Sequence, residues 1–447
     1  MGKAKKLEDL INTLDLNPIC DNSSSKADYY VDTSAARGSD ASAYIEYLLS
    51  VSKIVNKKFL FAGHSGSGKS TELFKLSERI KDKYFVVYFS ISEYVNFVDV
   101  SCPDLVVSML KTLIDTVEKC GMDIDPACID NIVTYWNTEA TMVNTDESVC
   151  ETSSELGVGG SVFNLISSKI KALFQQSNTI KTETTTRIDK SMHTFLKLIN
   201  QFIEEIKLKI DGKELLIIVD DLDKLNEKEA FDIFKDHSIV LTGINANIIY
   251  TFPVFMHYYS DYNYIQMNFH ESIILSMIMV NNRDGSEYSL GREVLEQIVL
   301  KRADKTLFAD GCIKFAILKS GGSIRNMLKI LRVAAVNAGL RCEKALLKGN
   351  DNEPRIVTQE DLDIAYRDFK NSIRRFTKFE HLEVLKKVYS TKDTFGVGTP
   401  SIIMDLFRTF LIIEYNGERW CDLNPAILDY LIEIKEIDLP QKIKGSE

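Results

Sequence analysis

The run Gly63-His64-Ser65-Gly66-Ser67-Gly68-Lys69-Ser70-Thr71 follows the pattern G-x-x-x-x-G-K-[ST]. Glycines at this spacing let successive backbone N–H groups close around phosphate oxygens. A helix that begins at the lysine turns its positive end toward the same anion. In such a loop Lys69 neutralises β- and γ-phosphates and the Ser70 hydroxyl ligates Mg2+. Gly63, Ser65, Gly66, Ser67, Gly68 and Thr71 shape the cradle. His64 falls at a variable loop position and reads as a solvent-facing side chain without a chemical role.

A phosphate cradle needs a carboxylate at the end of a neighbouring strand. Leu215-Leu216-Ile217-Ile218-Val219 is the clearest buried strand of the chain, and Asp220-Asp221-Leu222-Asp223 follows it. Asp220 would hold Mg2+, directly or through water, and Asp221 would polarise the attacking water. Asp223 either shares in those tasks or caps the next helix.

The elements that must position these groups are legible around them. Residues 58–62 form a short apolar run ending at glycine, a buried strand. Residues 71–81 carry Leu73, Leu76 and Ile80 on one helical face. Residues 84–91 are apolar, aromatic and β-branched, a second strand. Strand, loop, helix and strand in succession open a parallel α/β sheet. Another strand is expected at 246–250, before Thr251. Residues 190–209 are amphipathic and helical. Residues 311–337 read as helix on both sides of a Ser320-Gly321-Gly322 break. Near the C-terminus, helices at 377–388 and 400–411 precede Tyr415-Asn416-Gly417-Glu418, flanked by apolar runs. Asn-Gly in that setting signals a hairpin, and helices followed by a hairpin suggest a winged helix.

In this order, these residues resemble the additional-strand P-loop ATPases, the AAA+ and STAND group. Bacterial ATPases related to the origin-recognition initiators are the nearest likeness. Asp220-Asp221-Leu222-Asp223-Lys224 is also similar to the KAP group of P-loop ATPases. The resemblance covers most of residues 29–435. It implies an α/β fold: a P-loop NTPase parallel-sheet core, a helical lid and a C-terminal winged-helix domain. Residues 1–28 are then a lead-in of a short helix and loose chain. Residues 29–270 are the core, with a Ser/Thr/Glu-rich insertion at about 138–187. Residues 271–370 are the lid and 376–447 the winged-helix-like domain.

The likeness also implies roles. Thr251 lies where such proteins place a sensor-1 polar residue. Gly321-Gly322-Ser323-Ile324-Arg325 is similar to the sensor-2 segment, whose arginine, here Arg325, reaches the γ-phosphate. Residues 356–365 resemble the end of the lid. Tyr30-Val31-Asp32 falls where adenine contacts lie. ATP with Mg2+ is the implied cofactor pair, and no guanine-reading N-K-x-D is present. Two departures bear on turnover. The second acidic residue is Asp221, shorter than the glutamate of many relatives, and no arginine finger stands out. Arg283 and Arg302 are the candidates for one, but each reads rather as an ordinary surface arginine.

Composition narrows the partners. Lys and Arg total 54 against 64 Asp and Glu, a net charge of −10, so nucleic acid can be met only through a local patch. Residues 376–447 hold 9 Lys and Arg against 12 Asp and Glu, and the presumed recognition helix offers only Arg408. A protein partner is therefore favoured over DNA for this region. The aromatic-rich stretch from Tyr250 to Tyr264 has no interleaved cation, which points to packing or a partner surface rather than base stacking. The eight cysteines show no C-x-x-C pair and the six histidines no ligand spacing, so no metal beyond Mg2+ is expected. No apolar run approaches a membrane span and the first residues are charged, so a cytoplasmic location is expected. The expected function is an ATP-hydrolysing molecular switch that signals to a protein partner. The resemblance suggests bacterial anti-phage defence as a setting. A DNA-binding initiator and an ATP-dependent homo-oligomeric scaffold with little turnover are the alternatives.

Overall fold

The computed structural model describes residues 2–19, 27–51, 54–95, 97–140, 170, 173–174, 178–350, 352–415 and 420–438. Five strands make one parallel sheet: β1 (Lys58–Gly63), β2 (Tyr84–Ser90), β3 (Glu214–Asp220), β4 (Asn247–Pro253) and β5 (Glu271–Ile274). Their order is β2-β3-β4-β1-β5. β4 thus lies between the strand that feeds the glycine loop and the strand that ends in the acidic run, pairing with both. This inserted strand carries both ends of the site on one sheet edge.

Apolar side chains alternate to both faces of the sheet. Phe59 and Phe61 pack with α1 (Ala41–Val51) and α2 (Lys69–Ile80) through Ile45, Leu49, Leu73 and Leu76. Leu60 and Ala62 join the larger core on the other face. There α3 (Cys102–Cys120), α4 (Pro126–Tyr135), α5 (Asn178–Lys190) and α6 (Met192–Leu208) cover the sheet. Burial on both faces is what makes parallel strands read as continuous apolar runs. A capping box between Ser101 and Asp104 fixes the start of α3.

A helical lid follows the sheet: α7 (Ser289–Arg302), α8 (Cys312–Ser320), α9 (Ile324–Leu347) and α10 (Gln359–Arg374). The glycine break expected at 321–322 separates α8 from α9. Residues 2–19 are not loose. Leu7, Leu10 and Leu14 are buried in the same core as α7 and α9, and the Ala4 N–H donates to the Arg302 carbonyl at 2.8 Å.

The C-terminal part is a winged helix: α11 (Leu382–Thr391), α12 (Pro400–Arg408), an antiparallel hairpin of β6 (Ile412–Glu414) and β7 (Cys421–Leu423), and α13 (Pro425–Glu433). The Asn416-Gly417 turn and most of the insertion lie outside the described residues. α12 is not presented to solvent on its apolar side. Ile403, Met404, Leu406 and Phe407 are buried, and Phe407 stacks on Tyr258 of the core with ring centroids 4.0 Å apart. No helix among the described residues is long and apolar enough to cross a membrane.

Candidate functional site

The glycine loop leaves the C-terminal end of β1 and enters α2 at Lys69. Gly66 has φ +81°, and a Cβ there would stand 2.7 Å from the Cβ of Arg325 and 2.8 Å from the Ser323 hydroxyl. Only glycine lets the lid come this close. The Arg325 guanidinium donates to the Ser65 hydroxyl at 2.9 Å, and the Arg325 N–H to the Gly66 carbonyl at 3.4 Å. The sensor-2-like segment is therefore seated on the loop.

Lys69 is almost fully buried. Its ammonium donates to the carbonyls of Gly63 at 2.7 Å and His64 at 2.9 Å. It pairs with the Asp223 carboxylate at 2.9 Å, the side chains being 5% and 7% exposed. Asp223 therefore faces the loop lysine rather than capping a helix. The Ser70 hydroxyl lies close enough to Asp220 to favour its ionised form, and the Tyr88 hydroxyl donates to the same carboxylate at 2.6 Å. Burial, then Asp223, raises the Asp220 pKa, as expected for a carboxylate crowded by another in a dry site. Oxygens of Asp220, Asp221 and Asp223 lie within 4.8 Å of one another.

Asp221 sits at φ +70°. Its carboxylate accepts from Ser90 Oγ at 2.6 Å and Ser92 Oγ at 2.9 Å, and pairs with Lys224 at 2.5 Å. Burial works against its ionisation, but Lys224, Ser90 and Ser92 outweigh burial and hold its pKa below the ordinary carboxylate value. Ser90 lies in register with Asp220 across β2 and β3. The sequence reading missed Tyr88, Ser90 and Ser92. Polar residues at the end of β2 become visible as site residues only once β2 is known to flank β3.

Thr251 takes a different place from the one the resemblance implies. It is fully buried and does not line the cavity. Its hydroxyl accepts from the Leu222 N–H at 2.8 Å and donates to the Val219 carbonyl at 3.3 Å. It fixes the acidic turn from behind.

The expectation for His64 is overturned. The ring is 3% exposed, lies between Phe407 and Phe410, and accepts at Nε2 from the Glu414 N–H at 2.9 Å. Burial, then Lys69, pushes its pKa down to about 3. The winged helix supplies the apolar walls, so no local feature of the loop foretold this.

Arg302 also departs from expectation. It is 6% exposed, donates to the Tyr29 and Ile298 carbonyls, and lies over the Tyr29 ring at 5.1 Å. Arg283 is exposed, as expected.

Arg37, which the sequence reading did not single out, supports the loop from below. It is 2% exposed and donates to Thr33 Oγ1 at 2.7 Å, the Ser67 carbonyl at 2.5 Å and the Ser276 carbonyl. A lone arginine on a four-residue helix carries no sequence signal of this.

One cavity joins these groups. It is lined by Gly66, Gly68, Lys69, Ser70, Asp223 and Arg325. Leu16, Pro18, Val31, Ile298 and Leu328 line it as well, with Tyr30 and the polar Asp15, Asn17 and Glu72. Thr71, in the same lining, accepts from the Ile19 N–H at 3.1 Å. The Ser67 hydroxyl is buried without a hydrogen-bond partner among the described residues. A cationic lysine and arginine, with the Ser70 hydroxyl and the nearby Asp220 carboxylate, fit a polyphosphate with a hard divalent cation. The apolar part of the lining fits a base.

No family model matches the chain, and no curated protein matches it. Among solved structures, the crystal structure of Cdc6p from Pyrobaculum aerophilum is similar, with 12% identity and a TM-score of 0.36. The match covers 91% of this chain and 98% of that chain.

Proposed function

We propose that the chain is an ATPase that grips Mg2+-ATP between sheet core and lid and uses nucleotide state to control the seating of its winged helix for a protein partner. The observation that carries this reading is the convergence on one cavity of Lys69, Ser70 and the lid residue Arg325, with Asp220 beside Ser70. Lys69 and Arg325 bring positive charge to the phosphate end. Backbone N–H groups from Gly63 to Thr71 complete the cradle. Ser70 and Asp220 would hold Mg2+, which supplies charge neutralisation across the β- and γ-phosphates. Asp221, ionised and tethered by three donors, orients the water that attacks the γ-phosphorus to give ADP and phosphate. Arg325 contacts the γ-phosphate only while it is attached, so its loss biases the lid.

The charge of α12 supports a protein partner over DNA, because its one cation, Arg408, is paired with Asp405. Phosphate release from ATP tests both points, with Lys69→Ala and Asp221→Asn alongside and double-stranded DNA added or withheld. Turnover lost in both variants and indifferent to DNA is the expected result. DNA-stimulated turnover would favour an initiator. Binding through Lys69 without turnover would favour a scaffold.

A further inference from the structure

The three N–H bonds of the Lys69 ammonium are all committed within the protein: to Gly63 O, His64 O and Asp223. Lys69 cannot add phosphate oxygens without giving up one of them. The two carbonyls belong to the loop itself and remain alongside. Asp223 is the partner that a phosphate must displace, since two anions compete for one cation.

Displacement leaves a problem for Asp223. Its side chain is 7% exposed, and a buried carboxylate deprived of its counter-ion is strongly destabilising. The neighbouring Asp220 and Asp221 carry the same charge, within 4.8 Å. A divalent cation held by Ser70 and Asp220 would supply the missing positive charge on that side. Asp223 then has two stable settings, one on Lys69 and one facing the cation. The second becomes available only when nucleotide and metal arrive together.

We propose that Asp223 is a partner-exchanging residue of this site, competing with nucleotide phosphates for Lys69 and turning toward the divalent cation when they bind. This rests on the nucleotide reading above. It makes nucleotide affinity depend on the cation through one identifiable carboxylate, apart from the direct metal–phosphate contact. Asp223 is a positioning residue here, since it acts through Lys69.

The test is equilibrium binding of a fluorescent N-methylanthraniloyl-ATP to the full chain, in magnesium and in EDTA. Wild type, Asp223→Asn and Lys69→Ala are compared. Wild type should bind at least about tenfold more weakly in EDTA. Asp223→Asn should recover roughly tenfold of affinity in EDTA and so narrow the gap between the two conditions. Lys69→Ala should bind poorly in both. Equal behaviour of wild type and Asp223→Asn, with Lys69→Ala still defective, overturns the exchange and leaves the nucleotide site standing. No binding by wild type in either condition overturns both. If Asp223→Asn does not fold, Asp223→Ser takes its place in the same comparison, and equal wild-type affinity in magnesium and EDTA overturns the proposal by itself.

Discussion

The imidazole of His64 accepts a hydrogen bond from the Glu414 N–H at 2.9 Å, while the carbonyl of the same residue accepts from the Lys69 ammonium at 2.9 Å. One residue of the phosphate loop thus touches both the lysine that meets the nucleotide and the first strand of the wing. The contact is reinforced nearby. Tyr258 donates to the buried Glu414 carboxylate at 2.8 Å, and Tyr415 donates to the Gly321 carbonyl at 2.9 Å. A shift of the loop backbone on phosphate binding would pull on the wing without an intervening element.

His64→Ala should loosen that seat. It removes the acceptor of a buried N–H and leaves a gap between Phe407 and Phe410. The two effects together should cost about 2–4 kcal/mol of stability. Amide exchange should quicken in residues 403–415 before it quickens in the central strands. Unchanged exchange there would mean that the wing is held by its other contacts alone.

Acid should weaken the same contact. The His64 pKa is about 3 in the folded chain, against an ordinary value near 6.5. Between those values the unfolded chain takes up a proton that the folded chain refuses. The stability from neutral His64 is thus complete above about 6.5 and is lost as pH falls toward 3. At pH 5 the loss is about 2 kcal/mol. Buried Asp220 and half-buried Asp422 have raised pKa values and act in the opposite direction, so a bare melting curve mixes the effects. The difference between wild type and His64→Asn isolates His64. That difference in melting temperature should shrink between pH 7.5 and pH 5. A constant difference would count against a neutral buried ring.

What the sequence disclosed follows from the range of each interaction. β1 and β3 were legible because both faces of a parallel sheet are buried, which writes an unbroken apolar run. The break at Gly321-Gly322 was legible because two glycines between helical patterns have a local cause. His64 was not, because its surroundings come from Phe407, Phe410 and Glu414, far along the chain. Arg37 was not, because its acceptors are carbonyls of Ser67 and Ser276, and a carbonyl looks the same at every residue. Thr251 shows a third limit. A polar residue on the correct strand was found, but whether its hydroxyl faces ligand or backbone depends on the neighbouring turn, where Leu222 takes it. Leu7, Leu10 and Leu14 carry no sequence signal of their burial, because a four-residue helix is too short to show a periodic face.

Two glycines separate seating of the lid from integrity of the fold. A Cβ at Gly66 would meet Arg325 and Ser323 side-chain atoms at 2.7 and 2.8 Å, and α9 can back away to relieve the clash. A Cβ at Gly322 would stand 1.7 Å from the Ile278 carbonyl oxygen, backbone against backbone, with φ +84°. Gly66→Ala should keep the fold, costing about 1–2 kcal/mol, and weaken ATP binding roughly tenfold by holding Arg325 off the loop. Gly322→Ala should cost about 3 kcal/mol or more, with no selective effect on binding beyond the loss of folded protein. Melting temperature and fluorescent-nucleotide titration on both variants check this. Wild-type affinity in a folded Gly66→Ala would show that the lid need not rest on the loop when nucleotide binds, and Arg325 would then lose its place in the site.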